Sequence, residues 1–328
     1  MVLISHNHVD PSFNLACEEY FLQHRQEEFM LLWRNEPSII IGRNQNAYSE
    51  IDMDFTSENS IPIIRRLTGG GTVFHDLGNL NFTFIKNGQD GFADFVLFLE
   101  PITGYLRSLG LNAQFSGRND ILLNDMKISG NAQVNYKGRV MVHGTLLFSI
   151  AMERLARALK PNKLKLRAKG IKSVRSRVTN ISEHLKRPMS IEEFIDGLYK
   201  YLSSFDKCEI SQLTEKDVEE IERIADEKYR QWEWNIGKAP KYKMEGSVML
   251  PVGIVTAYFD IKAGKIESLK LVGDFFSQKD IDELEQKLIG CRHDKSEIIR
   301  VLNKIDISKH IVGITAEELA QVFFNIGE

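Results

Sequence analysis

Three consecutive glycines, Gly69-Gly70-Gly71, stand between an arginine pair, Arg65-Arg66, and the dipeptide His75-Asp76. Glycine has no Cβ and takes up positive φ freely, so such a run can wrap closely round a ligand and aim backbone N–H groups at it. A plain hairpin connection is the alternative. The flanks favour the ligand. Upstream, Ile61-Pro62-Ile63-Ile64 is a short β-branched run; downstream, Leu80, Phe82 and Phe84 alternate with Asn81 and Thr83 as in a half-buried strand. The triplet is therefore expected between strands. No Gly-Lys-Ser/Thr follows it and no helix opens behind it, which disfavours the phosphate-loop and dinucleotide fingerprints.

A second cluster runs from Ser116 to Gln133. Asn124-Asp125 supplies a tight turn after Ile121-Leu122-Leu123, which puts Asp120 and Lys127 on neighbouring strands near a shared face. Asp120 could meet Mg²⁺ or a ribose, and Lys127 a phosphate or the charge that develops at phosphorus. Taken singly, either is as readily a solvated hairpin charge. A third cluster, His143-Gly144-Thr145-Leu146-Leu147-Phe148, closes the strand-rich region.

Positioning these residues takes a mixture of helices and strands. Phe13, Ala16, Cys17, Tyr20, Phe21 and His24 recur at helical spacing behind Asp10-Pro11-Ser12, which predicts an amphipathic helix with Cys17 in the core. Phe29–Trp33 and Ser38–Ile41 read as strands, Phe92–Leu109 as a helix and residues 113–150 as a meander. Ser190-x-x-Glu193, Thr214-x-x-Asp217, Ser277-x-x-Asp280 and Thr315-x-x-Glu318 each open a helix. A hairpin is expected about Lys262-Ala263-Gly264-Lys265. A boundary near Lys241 to Val248 divides a catalytic unit, 1–244, from a small α/β unit, 248–328, with Gly237-Lys238-Ala239-Pro240 as a hinge.

With 328 residues, 43% of them hydrophobic, and a net charge of −3, the chain can bury a large core and is neither disordered nor globally basic. Its three cysteines, Cys17, Cys208 and Cys291, lack metal spacing and suit a reducing compartment. Met1-Val2-Leu3-Ile4 gives way at once to Ser5-His6-Asn7-His8, so a soluble cytoplasmic protein without a membrane partner is expected. Between Lys160 and Arg187 ten Lys or Arg residues face one acidic residue, Glu183. The run has almost no aromatic residue to stack a base, so a loop closing on an anionic phosphate is favoured over a nucleic-acid surface.

Arg66-x-x-Gly-Gly-Gly-x-Val-Phe-His-Asp-x-Gly-Asn, Gly-Arg-Asn-Asp, Lys-Ile-Ser-Gly-Asn-Ala, His-Gly-Thr-Leu-Leu and the segment Lys169 to Asn180, in that order, resemble the lipoate-protein ligase A family, from Asn14-Leu15-Ala16 to the C-terminal tail. The resemblance implies a mixed α/β fold: a class II synthetase or biotin-ligase-like catalytic domain carrying a small α/β C-terminal domain. It implies a monomer that activates free lipoate with ATP and Mg²⁺ to lipoyl-AMP. The lipoyl group then passes to an acceptor lysine of 2-oxoacid dehydrogenase acyltransferase subunits or glycine cleavage H protein.

By the same resemblance Lys127 is catalytic, and Arg66, Gly70, His75, Gly130, Ala132 and Gly144 hold the lipoyl group. Gly71, Val73, Phe74, Asn79, Asn119, Asp120, Lys127, Thr145, Lys169, Ser173 and Val174 hold the nucleotide, with Asp120 also a candidate Mg²⁺ ligand. Two positions depart from the pattern: Val142 stands where a second histidine is frequent, and Leu67 where a basic residue is. The rival reading is an ATP-independent octanoyl or lipoyl transferase of the same fold, which commonly needs a thiolate at the site. No cysteine lies between residues 18 and 207.

Overall fold

The computed structural model describes residues 1–88, 94–116, 119–159, 178–204, 208–237 and 244–325. Its strands, in chain order, are β1 Val2–Ser5, β2 Phe29–Trp33, β3 Ser38–Ile41, β4 Ile63–Arg65, β5 Val73–His75, β6 Asn79–Asn87, β7 Ala113–Ser116, β8 Asp120–Leu123, β9 Met126–Tyr136, β10 Arg139–Leu147 and β11 Glu209–Gln212, then β12 Met244–Leu250, β13 Gly253–Lys262 and β14 Lys265–Gly273. Eight form one mixed sheet in the order β11-β1-β2-β6-β10-β9-β8-β7. A small sheet, β4-β3-β5, carries the glycine triplet between its two outer strands.

Period-2 alternation sorts the large sheet into two faces. Met30 and Leu32 of β2, Leu80, Phe82 and Phe84 of β6, and Val140, Val142 and Leu146 of β10 pack on the helices Phe95–Ser108 and Ile191–Ser203. Leu31, Trp33, Ile85 and Met141 turn the other way, toward the helix Pro11–Gln23. β6 was expected to be half buried. Instead Asn81 and Thr83 are 2% and 0% exposed, because the N-terminal helix side covers their face too. The polar residues of that face belong to a covered site and not to solvent.

The N-terminal helix departs from expectation in the same sense. Asp10 caps it and Pro11 opens it, but every residue from Pro11 to Leu22 is buried, so it is not amphipathic. Glu18 and Glu19 are tolerated inside because each finds partners: Glu18 the ring of His143, Glu19 the side chains of Lys228 and Tyr229. The helix expected from Phe92 begins at Phe95, where Asp94 caps it. Capping boxes at Ser190, Thr214 and Thr315 form as expected, whereas the one expected at Ser277 gives way to Asp280, whose carboxylate accepts from Asp282 N.

β12, β13 and β14 form an antiparallel sheet, and the strand Met244–Leu250 takes up the described part, 244–248, of the interval in which the boundary was expected. The hairpin β13–β14 turns on Ala263 and Gly264, both at positive φ. Phe259, Phe275, Leu284, Ile298 and Phe323 fill a separate core beneath it. This unit reaches back to the glycine loop. Gly273 N donates to Asn44 O at 2.8 Å, Arg43 pairs with Asp280 at 3.0 Å, and the Phe276 ring lies beside Gly70. The intended hinge falls largely on residues 238–240, outside those described. Among the described residues no helix is long and apolar enough to cross a membrane.

Candidate active site

The glycine loop holds its shape through Arg66, which is 6% exposed. Its guanidinium donates to the carbonyls of Gly69 at 2.6 Å, Gly71 at 2.8 Å and Ile40 at 3.2 Å, and to the Thr68 hydroxyl at 2.9 Å. Burial lowers its pKa to about 10, so it stays cationic at neutral pH. With the carbonyls turned back onto Arg66, the loop is rigid on one side. Gly70 adopts φ +88°, the left-handed region that a Cβ disfavours.

Beneath the loop lies a cavity of about 150 Å³. Leu15, Trp33, Ile40, Val73 and Ala132 give it an apolar stretch; Asn81, Asn119, Asn131, Thr145 and Lys127 give it a polar one. One wall is the covered face of the large sheet, where Thr145 of β10 stands opposite Asn81 of β6 and Asn81 opposite Trp33 of β2. The other wall is β3, β5 and the loop. This combination of an apolar slot and a few convergent polar groups suits an acyl chain with a charged end.

At the polar end Lys127 Nζ lies 2.7 Å from Asp120 Oδ1, and both side chains are 35% exposed. The two-residue turn that sets this up uses Asn124 and Asp125 at φ 51° and 63°, as the sequence pair predicts. Gly130 leaves room for the lysine, since a Cβ there would stand 2.8 Å from Nζ. Val178 bridges to Lys127 in parallel and Thr179 N donates to Lys127 O at 3.1 Å, so the end of the basic segment is fastened beside the lysine. The Thr179 hydroxyl meets His184 Nε2 at 2.9 Å.

A buried network closes the apolar end. Glu18 takes His143 Nδ1 at 2.9 Å and the Thr83 hydroxyl at 2.5 Å, while His143 Nε2 meets Thr68 Oγ1 at 2.8 Å. The chain of contacts thus runs from the N-terminal helix to Arg66 and the loop. His75, 3% exposed, is pushed down to a pKa of about 3, first by burial and then by the fields of Arg66 and His143, so its ring is neutral.

Of the residues put forward for the acyl group, Arg66, Gly70, His75, Gly130, Ala132 and Gly144 all line this cavity; so do Gly71, Val73, Asn119, Lys127 and Thr145 from the nucleotide set. Asp120 stands at Lys127. Phe74 does not offer its ring, which is 1% exposed in the core with Ile39 and Ile41. Asn79 is fully buried and donates to Asn81 Oδ1 at 2.9 Å. Lys169, Ser173 and Val174 lie outside the described residues.

Sequence reasoning missed Trp33, Asn81, Thr72 and Asn131 as lining residues, and Glu18 and His143 as a pair. Asn81 and Thr83 carried the usable signal: polar residues at alternate positions of a strand whose other face is phenylalanine. Val142 and Leu67, the two departures, both pack in hydrophobic cores, so neither takes anything from the cavity.

Among the described residues no group of three or more His, Cys, Asp or Glu side chains could hold a metal ion. Asp120 offers one carboxylate, which suits Mg²⁺ completed by phosphate oxygens and water.

Comparison with known proteins agrees with this geometry. Residues 10–203 match the Lipoyl protein ligase A/B catalytic domain and residues 239–323 the Bacterial lipoate protein ligase C-terminus. Lipoate-protein ligase LplJ of Bacillus subtilis (strain 168) is 43% identical, covering 99% of this chain and 100% of its own length. The structure of P. falciparum LipL1 in complex with lipoate superposes with a TM-score of 0.77 at 28% identity, covering 93% of this chain and 94% of that one. Lipoate-protein ligase A bound with ATP gives a TM-score of 0.62 at 29% identity over 72% of this chain and 98% of that one. A mixed α/β fold, a rigid glycine loop over an acyl-sized slot and a lysine at its polar end thus come together in a chain that belongs to the lipoate-protein ligase family.

Proposed function

We propose that this ligase joins lipoate to protein in two half-reactions within the one cavity. In the first, a lipoate carboxylate oxygen attacks the α-phosphorus of ATP; the new P–O bond forms as the bond to pyrophosphate breaks. In the second, an acceptor lysine amine attacks the acyl carbon of lipoyl-AMP; the C–N bond forms, AMP leaves and the amine loses a proton. The acceptors that suit this reading are the lipoyl-bearing domains of 2-oxoacid dehydrogenase acyltransferases and glycine cleavage H protein.

Lys127 carries the reading. It is a cation steadied by Asp120 at the junction between the slot and the polar mouth, where carboxylate and α-phosphate would meet. Its charge would draw the two anions together and stabilise the charge that builds at phosphorus. Gly70 and Gly71 of the glycine loop line the same cavity, while Arg66 keeps that loop in place. Asp120 would give Mg²⁺ one carboxylate, and the ion, when bound, would neutralise phosphate charge. Support comes also from a lipoate complex and an ATP complex among similar structures.

The transferase alternative needs a nucleophile that the site lacks. All three cysteines are free, and none lines the cavity. Cys17 is 0% exposed, and burial pushes its thiol pKa well up. Mass spectrometry of an acceptor domain incubated with the ligase and lipoate tests the proposal. A lipoyl mass gain that requires ATP is expected, and a gain independent of ATP would overturn it.

A further inference from the structure

The glycine loop is held from two sides. Arg66 takes the carbonyls of Gly69 and Gly71. The second hold is the turn at residues 42–45, which follows β3 and is closed by Gln45 N donating to Gly42 O at 3.1 Å. Gly70 O occupies the space that a Cβ on Gly42 would need, so turn and triplet meet backbone to backbone. Gln45 then reaches past the triplet. Its Oε1 accepts from Gly42 N at 3.0 Å, and because a backbone N–H only donates, this contact fixes which end of the amide is oxygen. The same oxygen lies 2.8 Å from Thr72 Oγ1, so the Thr72 hydroxyl donates to it.

Gln45 is 3% exposed and, among the described residues, is not one that lines the cavity, whereas Thr72 lines it and is half-buried. Exposure shows which end of the cavity Thr72 belongs to. Leu15, Trp33, Ile40 and Ala132 of the apolar stretch are at most 5% exposed, while Gly71, Thr72, Lys127, Gly130 and Thr145 are all partly open. An acyl chain takes the buried stretch, which leaves the open end to the nucleotide. A loop edge ordered before the ligand arrives loses less conformational freedom when it binds.

We propose that Gln45 is a positioning residue for the nucleotide: from outside the cavity, through Thr72, it holds the edge of the glycine loop in the shape that receives ATP. The proposal rests on the cavity being the adenylating site. Gln45 touches no substrate and acts only through the loop.

Calorimetry with α,β-methylene-ATP, which cannot release pyrophosphate, and separately with lipoate tests it. Thr72→Val keeps the side-chain shape without a hydroxyl to donate; Gln45→Met keeps the length without a strong acceptor. Each should weaken binding of the nucleotide analogue about three- to tenfold, the scale of one hydrogen bond. The double variant should bind it no more weakly than Gln45→Met alone, because both changes remove the same bond. Lipoate affinity should stay within about twofold of wild type. In turnover the variants should raise KM for ATP and leave kcat in place, the signature of lost uniform binding. Unchanged nucleotide affinity in Gln45→Met, losses that multiply in the double variant, or an equal loss for lipoate overturns the proposal and leaves the ligase reaction standing. A wild-type protein that binds no nucleotide overturns both. If Gln45→Met fails to fold, Gln45→Asn, which keeps the amide one methylene short of Thr72, makes the same comparison.

Discussion

The carbonyl oxygen of Phe275 occupies the space that a Cβ on Gly69 would need, so the loop over the cavity is also the seat of the C-terminal unit. Gly69 is therefore a packing glycine, whereas Gly70 is one of conformation. Gly69→Ala should force Phe275-Phe276 off the loop at a cost of about 1–3 kcal/mol, the usual range for overpacking. Thermal unfolding should show a clear fall in Tm; an unchanged Tm would mean that the contact is loose.

Lys127→Ala should leave the fold intact and remove adenylate formation. The ion pair with Asp120 is one-third exposed, and such pairs contribute about 0–1 kcal/mol to stability. Loss of a preorganised charge at a developing oxyanion costs about a hundredfold or more in rate. Circular dichroism and turnover should therefore separate, and a mutant with near wild-type rate would remove Lys127 from the mechanism.

Arg65 is 1% exposed and its guanidinium donates to the carbonyls of Gly42, Arg43, Gln45, Trp234 and Asn235. It fastens the segment preceding the C-terminal unit to the turn on which that unit rests. Arg65→Lys keeps the charge but cannot span these carbonyls, so a loss of about 3–5 kcal/mol is expected from urea unfolding. A loss below about 1 kcal/mol would show that water replaces the fork.

Stability should fall on acidification below neutral pH, with His75 responsible for part of the slope. Its folded pKa is about 3, depressed by burial from the ordinary 6.5, and that of His6 about 4, again by burial and then by His8. Between those values and 6.5 the unfolded chain holds more protons, so stability present above pH 6.5 is lost as pH falls. Each buried imidazole adds up to about 1.4 kcal/mol per pH unit. His75→Gln should lose about 1–2 kcal/mol less than wild type between about pH 7 and 5. Equal losses would place the ring in water.

What could be read from the sequence was local. The triplet, the Asn124-Asp125 turn that pairs Asp120 with Lys127, and three of four capping boxes each depend on residues a few positions apart, and each forms. The pairing of Glu18 with His143 and that of Gln45 with Thr72 depend on strand order, which brings together groups far apart in sequence. The amphipathic expectation for Pro11–Gln23 failed for the same reason: periodicity registers the apolar positions but not the distant partners that let Glu18 and Glu19 enter the core. Asn81 and Thr83, read as a solvent face, were the nearest thing to a warning that the sheet is covered on both sides.

The central claim is that Lys127 and the glycine loop make an acyl-adenylating site, and pyrophosphate release measures it most directly. The protein incubated with lipoate, ATP and Mg²⁺, without any acceptor, should release pyrophosphate in a burst dependent on lipoate and abolished in Lys127→Ala. No lipoate-dependent pyrophosphate, together with acyl transfer between carrier proteins in the absence of ATP, would contradict the account.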